Sequence, residues 1–154
     1  MVIGQRNGKS WITWIGATPQ PALQEFKLVT GAMKALADEK YDPSMILDAY
    51  LLRSLAVGGY APSLTNCSKC DASGPHRYFS LVGGGLVCAD CRPSASATPA
   101  PETLKLMSDL ISGNWESAMA SELRNRREAN GLIAAYLQWH LERGLRSLQL
   151  VERA

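Results

Sequence analysis

The fold is decided by residues 67–91, CSKCDASGPHRYFSLVGGGLVCADC, which contain every cysteine of this 154-residue chain. Cys67 and Cys70 form one C-x-x-C pair, and Cys88 and Cys91 form a second. Clustered cysteines serve as metal ligands, as disulfides or as a redox centre. The spacing of the pairs and the residues between them distinguish these three kinds of site.

The segment between the pairs is suited to bring them together. Its RYFSLV, GGG and LVC runs predict a strand, a glycine turn and a returning strand, which together make a β-hairpin. Two C-x-x-C pairs joined by such a segment are typical of a tetrahedral zinc site. A redox centre is more often a single C-x-x-C on a βαβ unit, and no such pattern surrounds these residues.

Disulfides are disfavoured by the expected compartment. The N-terminus lacks the apolar core of a signal peptide, and no apolar run is long enough to span a bilayer. We therefore expect a cytoplasmic protein with no membrane partner, in a compartment where disulfides do not persist. The prediction is one structural Zn²⁺ per chain, held by Cys67, Cys70, Cys88 and Cys91, with no open coordination position.

Composition and charge limit the remaining possibilities. The chain is 46% hydrophobic and 19% charged, with a formal net charge of +2, which is typical of one globular domain. Four thiolates binding one Zn²⁺ would bring that charge to zero. Attraction to nucleic acid must therefore come from local basic patches.

The chain divides into a short N-terminal segment and a helical body. Residues 1–20 are predicted to be one strand or disordered, with Trp11 and Trp14 as an exposed aromatic pair. Residues 21–154 are predicted to form a helical domain into which a zinc module is inserted at 60–96. The predicted fold class is mainly α, a helical bundle with an inserted, zinc-stapled β-hairpin.

Apolar periodicity places three principal helices. The first begins at Pro21, and we expect its apolar stripe to cover a core; that stripe consists of Leu23, Phe26, Val29, Met33 and Leu36. The second, SMILDAYLLRSLAV, is apolar almost all round and should be central, capped by Asp42. RPSASATPAP is predicted to be a linker. The last long helix is predicted from about Glu122 to Arg143, with His140 as a hydrogen-bonded core residue.

Five arginines are candidate phosphate contacts on or near that last helix. The predicted DNA-binding residues are Arg124, Arg126, Arg127, Arg143 and Arg146. A solvated helix face is the usual alternative for such a run. No nucleophile, general base and orienting acid can be assembled from the spacing, so we do not predict an enzyme.

Several runs resemble the C-terminal half of the RecO family, the bacterial recombination mediators of DNA repair. They are ILDAYLLRSLAVGGYAPSLTNCSKC, YFSLVGGGLVCADC and GLIAAYLQWHLERGLRS, and the resemblance extends from roughly Pro21 to Glu152. It implies a helical domain with a zinc module, in which the four cysteines are the metal ligands. It also implies binding of single- and double-stranded DNA, strand annealing, and partnership with RecR and single-stranded-DNA-binding protein.

The sequence departs from that family at its N-terminal end. RecO proteins begin with an OB-fold barrel, and no matching run of strands precedes Pro21, so DNA binding by this chain is expected to be weak. One hypothesis is a non-catalytic mediator component that promotes annealing and recombinase loading. The alternative is a zinc-stapled protein-interaction scaffold with no direct DNA binding. Salt dependence of DNA binding separates the two hypotheses.

Overall fold

The computed structural model describes residues 5–6, 9–10 and 21–151, with side chains described for 22–143. Two short strands, β1 (Gln5–Arg6) and β2 (Lys9–Ser10), come first. The helices α1 (Pro21–Ala37) and α2 (Pro43–Val57) follow, and then the strands β3 (Tyr78–Ser80) and β4 (Gly85–Val87). The chain continues with α3 (Pro101–Ser112), α4 (Trp115–Met119) and α5 (Leu123–Val151). The mainly helical fold with one small hairpin near the four cysteines confirms the predicted class in outline.

Helix α2 is the central element, as predicted. The Asp42 side chain caps its first turn by accepting a hydrogen bond from the Ser44 amide at 2.8 Å, and Pro43 occupies the first helical position, where a missing N–H costs nothing. The helix contacts α1, α3 and α5. Its buried apolar residues form the middle of the core; they include Met45, Ala49, Leu52 and Leu55.

Helix α1 contradicts the expectation that its apolar stripe covers a core. Phe26 is 63% exposed and Met33 is 65% exposed. The side that packs on α2 is the other one, with Leu28, Ala32 and Ala35 partly buried. The prediction was wrong because α1 is apolar on two sides, and periodicity alone cannot tell which side meets the neighbouring helix.

The β3–β4 hairpin belongs to the main core. The strands pair antiparallel, with Phe79 opposite Leu86, and both side chains are almost fully buried in the same apolar cluster as the helices. The Phe79 ring meets the Tyr136 ring of α5 edge to face, with centroids 5.9 Å apart. The predicted strand, glycine turn and strand are confirmed.

Glycine is required where the hairpin meets the preceding loop. Gly85 has φ of 127°, and a Cβ there would lie 2.4 Å from backbone atoms of Ser63. This close approach lets the Leu86 amide donate to the Ser63 carbonyl at 2.8 Å, and the Ser63 amide donate to Gly84 at 2.9 Å. A side chain at residue 85 would separate the two segments.

The segment predicted as a linker after Cys91 is partly structural. Ala97 and Phe79 exchange two backbone hydrogen bonds of 2.8 Å, so the segment lies against the outer edge of β3. Pro99 is buried, and Pro101 begins α3. Backbone pairing with an open strand edge has no side-chain signature, and for that reason the composition suggested only a linker.

The last helix is longer than predicted. Helix α5 continues to Val151 instead of ending near Arg143, so Gly144 does not stop it. Isolated glycine within a helical pattern lowers helix propensity by only about 1 kcal/mol, which favourable neighbours can offset. None of the helices in the described ranges combines the length and apolar character needed to cross a bilayer.

The N-terminal segment, predicted as one strand or disordered, is described only in part. Strands β1 and β2 pair antiparallel, with Gln5 opposite Ser10. Trp11 and Trp14 lie outside the described residues.

Candidate metal centre and basic surface

The two C-x-x-C pairs converge on one point. All four Sγ atoms lie within 4.8 Å of one another, and the Cys70 and Cys88 sulfurs are 3.8 Å apart. A Zn–S bond of about 2.3 Å gives a tetrahedron whose edges are about 3.8 Å long. The four thiols therefore fit one tetrahedral metal ion.

The local backbone positions the first pair of sulfurs and stabilises the charge of one of them. The first pair sits in a tight turn in which the Asp71 amide donates to the Cys67 carbonyl at 2.9 Å, and Asp71 adopts a φ of 58°. Backbone N–H groups of Cys88, Cys70 and Lys69 point at the Cys67 sulfur and lower its pKa to about 6. Charge on the Cys67 thiolate is thus stabilised by donors that do not depend on the metal.

The Cys91 thiol, in contrast with Cys67, has a raised pKa. Hydrogen bonding to the Cys88 and Cys70 sulfurs raises the pKa of Cys91 to about 12. Four thiols this close cannot all ionise without a cation between them, because like charges at such distances repel strongly. A divalent cation would remove that obstacle by neutralising half of the four negative charges.

The centre is attached to the core on two sides. The Ser68 amide donates to the Leu86 carbonyl of β4 at 2.8 Å, and Val87, adjacent to Cys88, is fully buried. Cys67 is also buried, whereas Cys70 is exposed. Loss of the cysteine cluster would therefore be transmitted to the strands that pack on Tyr136.

An aromatic–cation contact on the outer side of the hairpin was missed at the sequence level. The Arg92 guanidinium lies 4.4 Å from the centroid of the Tyr78 ring, and Arg92 is exposed. The available signal was an arginine directly after the last cysteine, on a module that also carries an aromatic residue at the start of β3.

The three arginines at the start of α5 have different surroundings. Arg126 donates to the Ser121 hydroxyl at 3.0 Å and to the Met119 carbonyl at 2.6 Å, so it joins α4 to α5. Arg124 pairs with Glu122 at 2.8 Å on an open surface. Arg127 is exposed and makes no ion pair within the described ranges. The patch is therefore one outward arginine, one paired arginine and one tied into the fold.

The later part of α5 is described only as far as residue 143 for its side chains. Arg143 is exposed, and the Arg146 side chain lies outside the described residues. The His140 ring packs against Tyr136 and Tyr60, with centroids 4.4 Å and 5.1 Å away. Its buried Nε2 has no hydrogen-bond partner among the described residues. Burial, and then nearby Arg143, lower the His140 pKa.

The Nε2 atom of His140 therefore lacks, among the described residues, the hydrogen bond that we expected for a core histidine. Its partly buried ring is held by tilted aromatic contacts with Tyr136 and Tyr60. The apolar periodicity placed it correctly on the inner face of α5, but periodicity carries no information about a partner for its nitrogens.

Two partly buried polar contacts explain why Arg53 and Asp48 interrupt the apolar faces of α2. Arg53 of α2 donates from Nε to the Leu110 and Ile111 carbonyls at 3.1 and 3.2 Å, which satisfies the C-terminal end of α3. Asp48 of α2 is buried and accepts from Asn130 of α5 at 3.0 Å. Both side chains stabilise helix contacts, and neither lines the cysteine cluster.

Comparison with known proteins agrees with this arrangement. The family described as "Recombination protein O C terminal" matches residues 17–149. The DNA repair protein RecO of Thermobifida fusca is 54% identical over 140 residues, which is 91% of this chain and 58% of that protein. RecO of Streptomyces avermitilis is 52% identical over 134 residues, 87% of this chain and 54% of that protein.

A third relative, RecO of Frankia casuarinae, is 49% identical over 135 residues, 88% of this chain and 56% of that protein. The chain thus spans a little more than half the length of these curated relatives. No solved structure matches it significantly. Since the family match extends from before α1 to residue 149 of α5 and includes the cysteine-bearing hairpin, the chain belongs to the family of recombination protein O C-terminal regions.

Proposed function

We propose that this chain is a non-catalytic component of a bacterial DNA repair and recombination mediator. It would bind DNA and partner proteins and thereby promote strand annealing and recombinase loading. The observation that carries the proposal is the family match over residues 17–149, together with relatives named DNA repair protein RecO. The proposed partners are single- and double-stranded DNA, RecR and single-stranded-DNA-binding protein.

The proposed cofactor is one structural Zn²⁺ on Cys67, Cys70, Cys88 and Cys91. The support is the mutual approach of four sulfurs within 4.8 Å, which suits tetrahedral thiolate ligation. With all four positions taken by protein, the ion would supply folding energy and no Lewis-acid chemistry. Elemental analysis of the purified chain should give one zinc per chain, and a metal-free protein that folds normally would contradict the assignment.

The proposed domain organisation is supported by the contacts between the hairpin and the helices. Residues 21–154 would be one helical domain with the zinc module inserted at 60–96. The burial of Phe79 and Leu86 in the helical core supports a module that cannot unfold independently.

The proposed DNA surface is basic and local. Arg127 and Arg143 are exposed candidates for phosphate contacts, and Arg124, one turn before Arg127 on α5, is in a weak surface ion pair. Arg126 is a weaker candidate because its guanidinium already joins α4 to α5. Among the described arginines of α5, few are free of other partners, so we expect DNA binding by α5 alone to be weak.

Salt dependence of DNA binding tests the proposal. Fluorescence anisotropy with a labelled single strand should give an affinity that falls with salt, with a log–log slope of about 0.7 per phosphate contact. A strand-annealing assay at near-physiological salt should show slow annealing by this chain. Fusing the N-terminal portion of a longer relative ahead of Pro21 should accelerate annealing. Binding that does not depend on salt would contradict the mediator role.

A protein-interaction scaffold without DNA binding is the second candidate. It is favoured by one observation, the outward apolar face of α1, which suits a protein contact better than a phosphate backbone. Under this alternative the chain would bind a partner protein with little dependence on salt and would not retard a single strand.

A further inference from the structure

A cleft between α1 and α2 is lined by aromatic and cationic side chains that belong neither to the cysteine centre nor to the arginines of α5. Its volume is about 180 Å³. Its three aromatic residues come from separate segments: Tyr41 precedes α2, Tyr50 lies within α2 and Trp115 begins α4. The cleft therefore exists only when these helices are packed together.

Two of the aromatic rings form a stacked pair beside a cation. The Tyr41 and Trp115 rings have centroids 4.4 Å apart and an angle of 16° between their planes. Both residues are only partly buried. The Lys40 ammonium group lies 5.2 Å from the centroid of the Tyr41 ring. Partly open flat rings beside a cation form the kind of surface on which the bases of a single strand stack.

The charged residues that line the cleft are all cationic. They are Lys27 and Arg53, and no carboxylate is among the described residues that line it. Lys27 and Lys40 are exposed, and neither makes an ion pair within residues 22–143. Asp38 and Glu39 follow α1 and lower the net charge of the wider surface. The two lysines are therefore free to reach phosphates at the edge of the cleft.

The wall of the cleft formed by α1 is left open at Gly31. This residue lines the cleft, and a Cβ placed on it would meet no heavy atom within 4 Å. Since glycine weakens a helix, tight packing is not the reason for the missing side chain. Gly131 of α5 has similar room, so the glycine supports a ligand site only together with the rings and the lysines.

We propose that this cleft receives one unstacked base of single-stranded DNA, with Lys27 and Lys40 contacting the phosphates beside that base. The cleft is smaller than the roughly 300–1,000 Å³ of pockets that enclose drug-sized ligands, so it admits one flat ring system and leaves the rest of the strand outside. The base would stack on the Tyr41–Trp115 pair. The inference rests on the proposed DNA binding and adds a contact region separate from the α5 arginines.

Filling the cleft tests the proposal without removing a contact of the fold. Gly31→Leu places a side chain in free space, and leucine is a better helix former than glycine, so the thermal midpoint should not fall. Fluorescence anisotropy with a labelled oligothymidylate should show about tenfold weaker binding, as expected for the loss of one stacked base. Equal affinity of the parent and Gly31→Leu would overturn the proposal.

A control for the added apolar side chain is available on α2. Ala56 is exposed in the last turn of α2 and does not line the cleft. Ala56→Leu adds a comparable side chain on another surface and should leave the DNA affinity unchanged. If Ala56→Leu weakened binding as much as Gly31→Leu, the effect would not come from the cleft and the assignment would be wrong.

Tryptophan fluorescence identifies the ring that the base contacts. A base stacked on an indole quenches its emission, so saturating oligothymidylate should lower the emission of the parent protein. Trp115→Phe retains a flat ring and should lose the part of this quenching that belongs to Trp115. The same absolute loss of emission in both proteins would place the DNA away from Trp115 and contradict the proposal.

The outcomes separate this inference from the proposed function. DNA binding that Arg127→Glu weakens and Gly31→Leu does not would retain the proposed function and exclude the cleft. Absence of any salt-dependent DNA binding by the parent would exclude both. If Gly31→Leu abolished binding of a partner protein and left DNA binding intact, the cleft would be a protein-binding site instead.

Discussion

Asp48 shows how one buried polar side chain can connect stability to pH. It lies between α2 and α5 with a single described partner, the Asn130 amide. Burial raises the pKa of its carboxyl group above 3.8, an effect that exceeds the opposing influence of the Asn130 hydrogen bond. The folded protein therefore favours the protonated form of this group.

The first prediction concerns Asp48→Asn, which keeps an acceptor for Asn130. Because the folded pKa is raised, the contribution of Asp48 to stability is complete below pH 3.8 and is lost as pH rises through the folded value. The neutral variant does not undergo that loss, so at pH 7 it should be at least as stable as the parent. Urea unfolding of both proteins at several pH values measures the difference, which should shrink on acidification.

Asp38→Asn, at an exposed position, controls for the change in net charge in that experiment. A variant of Asp48 that is much less stable than the parent at pH 7 would show that the charged carboxylate makes a favourable interaction in the folded protein.

Arg53 is a second single residue on which helix contacts depend. Its guanidinium reaches the last carbonyls of α3, where Gly113 ends the helix in a left-handed conformation with φ of 84°. Arg53→Met preserves most of the apolar stem and removes the donors. Since hydrogen bonds that involve a charged partner contribute about 1.5–3 kcal/mol, we expect a loss of stability in that range.

Chemical denaturation monitored by circular dichroism measures that loss. Arg53→Lys retains the charge but cannot donate in the same geometry. Its free energy of unfolding should therefore lie between those of the parent and the Arg53→Met variant. Equal stability of all three proteins would mean that water molecules hydrogen-bond to the α3 carbonyls as favourably as Arg53 does.

The cysteine-bearing hairpin is the element whose loss should matter most. Its strands are short, and a two-stranded hairpin is marginal in water without further support. Here that support comes from burial against Tyr136 and from the proposed metal. The hairpin contributes Phe79, Leu86 and Val87 to the buried interior, so disorder in it would expose the centre of the molecule.

Removing the proposed zinc should consequently destabilise the helices as well as the hairpin. Structural Zn²⁺ binding is worth roughly 10–16 kcal/mol in small peptides, which is comparable with the free energy of unfolding of a whole domain, about 5–15 kcal/mol. Cys88→Ser should abolish stoichiometric zinc and lower the thermal midpoint of the helical signal. Acidification should release the ion, because protons compete for the thiolates.

Chelator treatment of the parent protein provides the comparison for Cys88→Ser. An unchanged melting curve after complete metal removal would mean that the cysteine cluster has no structural role. Normal melting of Cys88→Ser combined with loss of zinc would lead to the same conclusion.

The distribution of charge over the molecule bears on the proposed binding of DNA. Its net charge is only +2 before metal binding, so association depends on where exposed cations lie close together. Within the described side chains, Arg127 and Arg143 are exposed on α5, while Arg53 and Arg126 are committed to carbonyl and hydroxyl acceptors. The arginine count of the sequence therefore overstates the available contacts.

The last prediction distinguishes these two groups of arginines. Arg127→Glu should weaken single-stranded DNA binding for all sequences and reduce the salt slope by about one contact, with unfolding unchanged. Arg126→Met should lower the stability of the protein, because it removes the contact between α4 and α5. Its effect on the salt slope of DNA binding should be smaller than that of Arg127→Glu. Anisotropy titrations at several salt concentrations, paired with thermal melts, measure both effects. Equal effects of the two substitutions on DNA binding would contradict this division.

Local sequence was sufficient for those features that depend on neighbours along the chain. The C-x-x-C pairs place two thiols on one turn, the GGG run makes a hairpin, and Asp42–Pro43 begins a helix, whatever the rest of the fold does. The central position of α2 was also predictable, because a helix that is apolar almost all round has to be covered on every side.

The tertiary structure alone decided which surfaces meet. Phe26 and Met33 have the periodicity of a core face, yet α1 presents them to solvent, because α2 packs on the opposite side. Arg126 and Arg127 are adjacent in the chain, but the helix turns them towards different neighbours, and only one stays free. Ala97 joins β3 through backbone groups that every residue possesses. These outcomes depend on contacts between residues far apart in the chain, and no local pattern of side chains encodes such contacts.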